Sequence, residues 1–398
     1  MSVVTNDAMA DNHHKPLYFE NLDGLRFIAF FAVFISHASL FLGYDNNSYF
    51  YQLFKKYILV NGDVGVSFFF VLSGFLITYL LIREKDNNGK VSLKSFYLKR
   101  ILRIWPVYFT TLIVGFFILP VIARLIIGSE SFVFLMNPLF SVLPNYIFFL
   151  ANFNGALSTN VPTAVLWSVS VEEQFYLVWP FVIAFLPRKH LLKFLSTIIL
   201  ISCLYRYFYA FFPDMISYST FSVMSDLAVG SVLAYLLYTK NNLMDGLFSK
   251  IKVAPKKIIA LLYTFLILII AGRHYATDAL ISHSIFYSLF VSIFPLILAS
   301  TYALIIFEQN ESSGSIFKIG RSKILTSLGK ISYGLYSYHM IAFVIVLLSM
   351  YCFGIDIWHM SIINWFISMG LSLTTVYVLA TLSYYGMEKY FLSKKPKH

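Results

Sequence analysis

A histidine in the first strongly apolar stretch of the chain, His37, is the side chain best suited to proton transfer. Imidazole can accept a proton from a hydroxyl near neutral pH, as acyl transfer to an alcohol requires. Arg26 precedes it by 11 residues, so in a helix the two share nearly one face and lie about 16 Å apart. The alternative is a core histidine hydrogen-bonded to a neighbouring helix.

A basic cluster formed by Lys99, Arg100 and Arg103 could bind a phosphorylated ligand. Arg100 and Arg103 are three residues apart and therefore share a helix face, and guanidinium groups bind phosphates through paired hydrogen bonds. Basic residues at the cytoplasmic end of a helix are also expected from topology alone. Both interpretations stay open on the sequence.

Two adjacent acids, Glu172 and Glu173, lie about two turns into an apolar stretch, where contact with lipid cannot explain them. Adjacent helical residues point about 100° apart, so at most one can point straight at a common site. One could act as a base or orient His37, and the other could pair with an arginine such as Arg206. We expect a catalytic role for at least one.

Weaker signals lie elsewhere in the chain. His339 is a second histidine in an apolar stretch, and it could bind an acceptor or bond a facing helix; we favour the acceptor. Gly62 and Gly65 fit close helix packing better than a phosphate-binding loop, because the Lys-Ser/Thr ending is missing. Ser73 and Ser168 have no base at sequence spacing, so a serine nucleophile is the second choice.

The elements that carry these residues are predicted to be membrane helices. The sequence is 59% hydrophobic and only 12% charged, whereas globular chains carry about 25% charged residues. A span needs roughly 20 apolar residues. We predict an all-α polytopic protein with about ten spans: Phe27–Leu42, Gly65–Ile82, Ile101–Ala123, Val165–Leu186, Leu191–Phe212, Ser222–Tyr238, Ile258–Gly272, Ile285–Phe307, Ile331–Phe353 and Ile362–Gly386.

An eleventh apolar stretch, Phe132–Phe153, is interrupted by two prolines, and we predict that it is interfacial or re-entrant. With ten spans and both termini in the cytoplasm, the cytoplasmic segments hold 25 of the 30 basic residues, as expected of inner loops. Contact with anionic lipid headgroups then explains the net charge of +11 without a nucleic-acid partner.

The predicted organisation is a cytoplasmic segment 1–24, a transmembrane domain 25–388 and a basic cytoplasmic tail 389–398. The two cysteines of the chain, Cys203 and Cys352, have no other Cys or His at metal-ligand spacing, so we predict no metal site.

Five segments in this order resemble the family-3 membrane acyltransferases, which acylate bacterial cell-surface glycans. They are Leu22–Arg26 with His37, the Phe-rich run ending Leu72–Phe75, Arg100-x-x-Arg103, Trp167–Ser168 with Glu172–Tyr176, and Ser332–Tyr333 with His339. The likeness extends from about residue 20 to 390. It implies an acyl-CoA donor, usually acetyl-CoA, with His37 catalytic, Arg26 essential, and Arg100 and Arg103 binding the donor.

We further predict that substrate contacts come from Trp167, Ser168, Tyr333 and His339. The expected protein is a multi-pass O-acyltransferase of the bacterial inner membrane that modifies O-antigen, lipopolysaccharide or another surface polysaccharide, or its lipid-linked precursor. Some relatives carry a fused extracytoplasmic hydrolase-like domain, so either the membrane domain acts alone or a separate partner completes transfer. The alternatives are a transporter or flippase of lipid-linked glycans, and transfer of a succinyl or longer acyl group.

Overall fold

The computed structural model describes residues 19–41, 52–53, 55–59, 61–128, 140–153, 161–239, 246, 249–356 and 360–396. The described part of the chain is helical and contains no β-strand. The prediction of an all-α chain is therefore confirmed.

Long helices account for most of the described residues. The α-helices are α1 (Glu20–Phe41), α2 (Gly62–Asn88), α3 (Leu93–Ile113), α4 (Leu119–Ile127), α5 (Leu143–Ile147), α6 (Leu166–Phe185), α7 (Arg188–Phe208), α8 (Pro213–Tyr218), α9 (Thr220–Thr239), α10 (Lys256–Leu280), α11 (Ser284–Glu311), α12 (Lys323–Lys330), α13 (Ser332–Cys352), α14 (Ile362–Ser383) and α15 (Lys389–Ser393). Two π-helical turns, Val114–Ile118 and Tyr384–Glu388, join α3 to α4 and α14 to α15.

Each of the ten predicted spans coincides with a long helix or a pair of joined helices. Among the described residues, eight helices are long and apolar enough to cross a membrane, which confirms a polytopic architecture. The two long helices outside that set, α1 and α6, carry Arg26, His37 and the paired glutamates. Such residues lower the hydropathy of a span, and they are the residues singled out for chemistry.

Close packing of the helices depends on glycine at several crossings. A Cβ added at Gly65 would lie 2.5 Å from the Ala29 carbonyl oxygen of α1. A Cβ at Gly74 would lie 2.0 Å from the Leu227 carbonyl oxygen, and one at Gly230 would lie 2.0 Å from that of Val71. Glycines thus bring α2 against both α1 and α9, which confirms helix packing as the role of Gly65.

Arg206 is fully buried and holds α7 against two other helices. Its guanidinium donates to the Ser225 hydroxyl at 2.9 Å and to the carbonyl oxygens of Ser222 and Ser292 at 2.5 and 3.1 Å. The expected pairing of Arg206 with one of the two glutamates is wrong, because serine and carbonyl oxygens are its hydrogen-bond partners. A buried charge is tolerated when its donors are satisfied in this way.

The described part of Phe132–Phe153 contains only α5 and two 3₁₀ turns, Phe140–Val142 and Ala151–Phe153, and none of these is long enough to span. Gln174 of α6 donates to the Phe149 carbonyl oxygen and to the Asn152 side chain, both at 2.8 Å. This segment is therefore held against α6, next to the glutamates. Residues 132–139, and the N-terminal 1–18, lie outside the described residues.

Candidate active site

A cavity of about 520 Å³ lies between α1, α2, α3, α6 and α13. On α2 its lining runs from Leu80 to Val66, a distance of about 21 Å along the helix. Its polar lining residues are Asp23, Arg26, Ser73, Arg100, Arg103, Ser168, Glu172, Tyr176, Lys330, Ser332, Tyr333, Tyr336, Tyr384 and Glu388. We call this space the central cavity. Leu80 lies toward the end of α2 that is predicted to face the cytoplasm.

Helix α1 contributes Asp23 and Arg26 to the central cavity. Arg26 Nη1 donates to Asp23 Oδ1 at 2.6 Å, in a pair three residues apart on the same helix. The end of α12 packs directly on this turn, since a Cβ at Gly329 would lie 1.9 Å from the Asp23 carbonyl oxygen. Arg26 is thus held at the wall of the cavity; its essential role stays a prediction.

Helix α3 places both predicted donor-binding arginines, Arg100 and Arg103, on the central cavity. The Arg100 guanidinium lies 5.6 Å from the ring centres of Phe96 and Tyr176, which hold it by cation–π contact. Its Nε is buried and has no hydrogen-bond partner in the described part of the chain. A ligand phosphate can supply the missing acceptor.

The two adjacent glutamates of α6 have different surroundings. Glu172 lines the central cavity and accepts a hydrogen bond from the Ser73 hydroxyl at 2.5 Å, while Ser73 also lies 3.2 Å from the Tyr176 hydroxyl. Glu173 points elsewhere and accepts from Trp105 Nε1 at 3.1 Å. This divergence is the one that the 100° step of a helix predicts. Ser73 therefore has a carboxylate neighbour that its sequence spacing concealed.

The predicted substrate residues of α6 and α13 fall into two groups. Ser168 and Tyr333 line the central cavity; the Ser168 hydroxyl lies 2.7 Å from that of Tyr336, and Tyr333 donates to a backbone oxygen of α3 at 3.1 Å. Trp167 packs edge-on against Tyr218, with ring centres 5.0 Å apart, and is not among the described lining residues. Tyr336 was not singled out from the sequence.

His37 and His339 are in direct contact. His37 Nδ1 lies 2.8 Å from His339 Nε2, and His339 Nδ1 lies 2.5 Å from the Tyr336 carbonyl oxygen. His339, rather than Glu172 or Glu173, is the hydrogen-bond partner of the His37 ring. Neither histidine is among the described residues that line the central cavity, whose last residue on α13 is Tyr336. His339 follows that residue on α13 by one helical turn, or about 4.5 Å along the helix axis.

The C-terminal tail adds positive charge near the arginines of α3. Burial first, and then the charges of Arg103, Arg100 and Lys99, lower the pKa of Lys395 from its ordinary value to about 8. Such an effect requires these four cations to lie close together. A cluster of like charges is stabilised when a polyanion binds to it.

Comparison with known proteins places the chain in a family. The model of the acyltransferase domain family matches residues 19–381, and the chain belongs to this family. It is 27% identical over 344 residues to a Staphylococcus aureus protein named "Putative O-acetyltransferase", with 82% of this chain and 51% of that protein covered. It is 30% identical over 233 residues to the peptidoglycan O-acetyltransferase OatA of Listeria monocytogenes, with 55% and 34% covered.

A third relative, named "Putative peptidoglycan O-acetyltransferase YrhL" in Bacillus subtilis, is 26% identical over 393 residues, which cover 95% of this chain and 55% of the relative. The chain thus spans about half the length of the Staphylococcus and Bacillus relatives. No solved structure matches it.

Proposed function

We propose that the protein is a membrane O-acetyltransferase that moves an acetyl group from acetyl-CoA to a hydroxyl of a cell-surface polysaccharide or of its lipid-linked precursor. The observation that carries this proposal is the central cavity, which is lined both by the arginines of α3 and by Tyr336, one turn before the histidine that bonds His37. Membership of the acyltransferase family and similarity to named O-acetyltransferases support the same reaction class.

In the proposed complex the phosphates of acetyl-CoA bind Arg100 and Arg103, and the pantetheine arm extends along the central cavity. The thioester then lies near Ser168 and Tyr336 at the far end. Arg26, about 16 Å from His37 along α1, contacts the donor rather than the reacting carbonyl. We assign the stabilisation of the carbonyl oxygen to the Tyr336 hydroxyl, because an oxyanion requires a donor at the reacting end.

The proposed transfer is direct. His37 takes the proton as the acceptor oxygen attacks the thioester carbon; the carbon–sulfur bond then breaks, and the proton passes to the CoA sulfur. The alternative is an acyl-enzyme formed on Ser73, which Glu172 could activate. Rapid mixing of enzyme with acetyl-CoA in the absence of acceptor separates the two. We expect no stoichiometric release of CoA, whereas a burst that is lost in Ser73→Ala but kept in Ser170→Ala would establish the acyl-enzyme.

The deciding experiment compares purified wild-type protein with His37→Ala. We expect both to bind acetyl-CoA, and only the wild type to restore O-acetyl signals in the proton NMR spectrum of surface polysaccharide from cells that lack the gene. A glycan transporter has no reason to bind acetyl-CoA, so a protein that fails to bind it would contradict the proposal. Persistence of O-acetylation with His37→Ala would contradict the assignment of the base.

The identity of the acceptor and the size of the acyl group are tested with the same cells and the same purified protein. The acetylated sugar identifies the acceptor among peptidoglycan, O-antigen and other surface glycans of the bacterial envelope, and succinyl-CoA or longer acyl-CoA thioesters measure the size of the acyl site. If the membrane domain needs a separate extracytoplasmic partner to complete transfer, purified protein will release CoA only when that partner is added.

A further inference from the structure

We propose that His339 is a positioning residue that fixes the neutral tautomer of His37, so that Nε2 of His37 is the basic nitrogen. This inference deepens the proposed function and rests on it for its catalytic meaning. It is argued from the chain of hydrogen bonds that runs from the Tyr336 carbonyl oxygen through His339 to His37.

The direction of the hydrogen bonds follows from one atom that can only accept. The Tyr336 carbonyl oxygen has no proton, so His339 Nδ1, which lies 2.5 Å away, must carry the hydrogen and donate it. In a neutral ring the other nitrogen, Nε2, is then an acceptor. His37 Nδ1, at 2.8 Å from that nitrogen, must therefore carry its own hydrogen.

The remaining nitrogen of His37 is fixed by elimination. A neutral imidazole has one protonated and one unprotonated nitrogen, so His37 Nε2 holds the free lone pair. The reverse arrangement would need a second proton on His339. That ring is fully buried and packs edge-on against Phe30 and Phe343, where a charge is costly. The surroundings of His339 thus favour the neutral chain.

This arrangement performs the task that a carboxylate performs for histidine in other acyl-transfer sites, but with a backbone oxygen as the final acceptor. When the acceptor hydroxyl loses its proton to His37 Nε2, His37 Nδ1 continues to donate to His339. The ring cannot rotate without breaking this bond, since His339 belongs to α13 and His37 to α1. His339 thereby aligns the base without touching the substrate.

The kinetic test uses two substitutions of His339. His339→Gln can keep an acceptor oxygen near the place of Nε2, whereas His339→Phe cannot accept a hydrogen bond. We expect kcat to fall about 100-fold or more in His339→Phe, because general acid–base catalysis typically contributes at least that factor to the rate. The KM for acetyl-CoA should stay unchanged. We expect His339→Gln to recover most of the loss. His274→Gln, which alters a histidine that bonds Asn61 away from the central cavity, serves as the control.

The spectroscopic test does not depend on activity. In protein labelled with ¹⁵N-histidine, the signals that disappear in His37→Gln belong to His37. We expect these to show a protonated Nδ1 and an unprotonated Nε2 in the wild type, and to become a tautomer mixture in His339→Phe. An unprotonated Nδ1 on His37 in the wild type would overturn the inference, even if the enzyme transfers acetyl groups.

Equal losses in His339→Phe and His339→Gln, together with a lower melting temperature in both, would show a structural role only and also overturn it. If the wild type fails to bind or turn over acetyl-CoA while the spectra show the expected tautomer, the proposed function fails and the positioning of His37 stands. The two failures are therefore distinguishable.

Discussion

At the scale of single residues, the arginines of α3 are predicted to determine affinity for the donor. Arg100 and Arg103 both line the central cavity, whereas Lys94, two turns before them on the same helix, is exposed and outside the cavity. A hydrogen bond to a charged group contributes about 1.5–3 kcal/mol, so we expect Arg103→Ala to raise the Kd for CoA about 10- to 100-fold. Arg100→Lys should also weaken binding, because lysine cannot reproduce the guanidinium fork.

Titration calorimetry of the purified protein with CoA measures this effect, and Lys94→Ala is the matched control. It removes one positive charge from α3 without touching the central cavity. Similar losses of affinity in Lys94→Ala and Arg103→Ala would mean that the net charge of the helix, rather than a phosphate contact, attracts the donor.

A pH dependence follows from Lys395. Its pKa is lowered from the ordinary 10.5 to about 8 by burial and by the neighbouring cations, so the folded protein loses this proton before the unfolded chain does. Between about pH 8 and pH 10.5 the unfolded state binds more protons, and the contribution of Lys395 to the free energy of unfolding therefore rises with pH. Below pH 8 the residue is charged in both states.

Binding of CoA is expected to raise the pKa of Lys395 again, since a bound phosphate favours the charged form of the lysine. We expect affinity for CoA to fall as pH rises through about 8, and we expect this fall to be smaller in Lys395→Met. Calorimetry at pH 7 and pH 9 for both proteins measures the difference. An identical pH dependence in the two would show that the tail does not contact the donor.

At the scale of helices, the glycines at the crossing of α2 and α9 limit what can replace them. A Cβ at Gly74 or Gly230 would lie 2.0 Å from a backbone oxygen of the facing helix, which cannot yield as a flexible side chain can. We expect Gly230→Ala to destabilise the protein by about 1–3 kcal/mol, the usual cost of overpacking. Its melting temperature in detergent should fall accordingly.

Gly272 in α10 provides the control, since no atom lies within 4 Å of a Cβ placed there. Alanine in an exposed helical position is favoured over glycine by about 0.5–1 kcal/mol, so Gly272→Ala should be neutral or slightly stabilising. A fall in melting temperature of the same size in both variants would contradict the packing role of Gly230.

At the scale of the whole molecule, the orientation in the membrane remains a prediction from basic residues, and a native cysteine tests it. Cys352 is exposed at the end of α13 that is predicted to face outward, whereas Cys203 lies partly buried inside α7. We expect an impermeant maleimide to label Cys352 in intact spheroplasts. The signal should disappear in Cys352→Ser.

A second variant marks the cytoplasmic side. Ser393 is exposed at the end of α15, and Ser393→Cys in a Cys352→Ser background should react only after the cells are opened. Labelling of residue 393 in intact spheroplasts would invert the topology and place the arginines of α3 on the wrong side for a cytoplasmic donor.

The sequence alone determined the class of fold, because ten apolar segments of span length leave helices as the structure that satisfies every backbone group inside a bilayer. It also predicted that Arg100 and Arg103 share a surface, since three residues in a helix bring side chains to one face. The divergence of Glu172 from Glu173 follows from the same periodicity. These are local properties, for which the period of the helix is sufficient.

Only the tertiary structure decided which distant residues meet. The contact between His37 and His339 joins residues 302 positions apart, and that between Ser73 and Glu172 joins residues 99 apart. Helical periodicity says which face a side chain occupies, but it does not say which helix lies opposite. The helix that lies opposite is determined by the close crossings and by the packing of the whole bundle. At His37 this helix is α13, so His339 is the residue that orients His37.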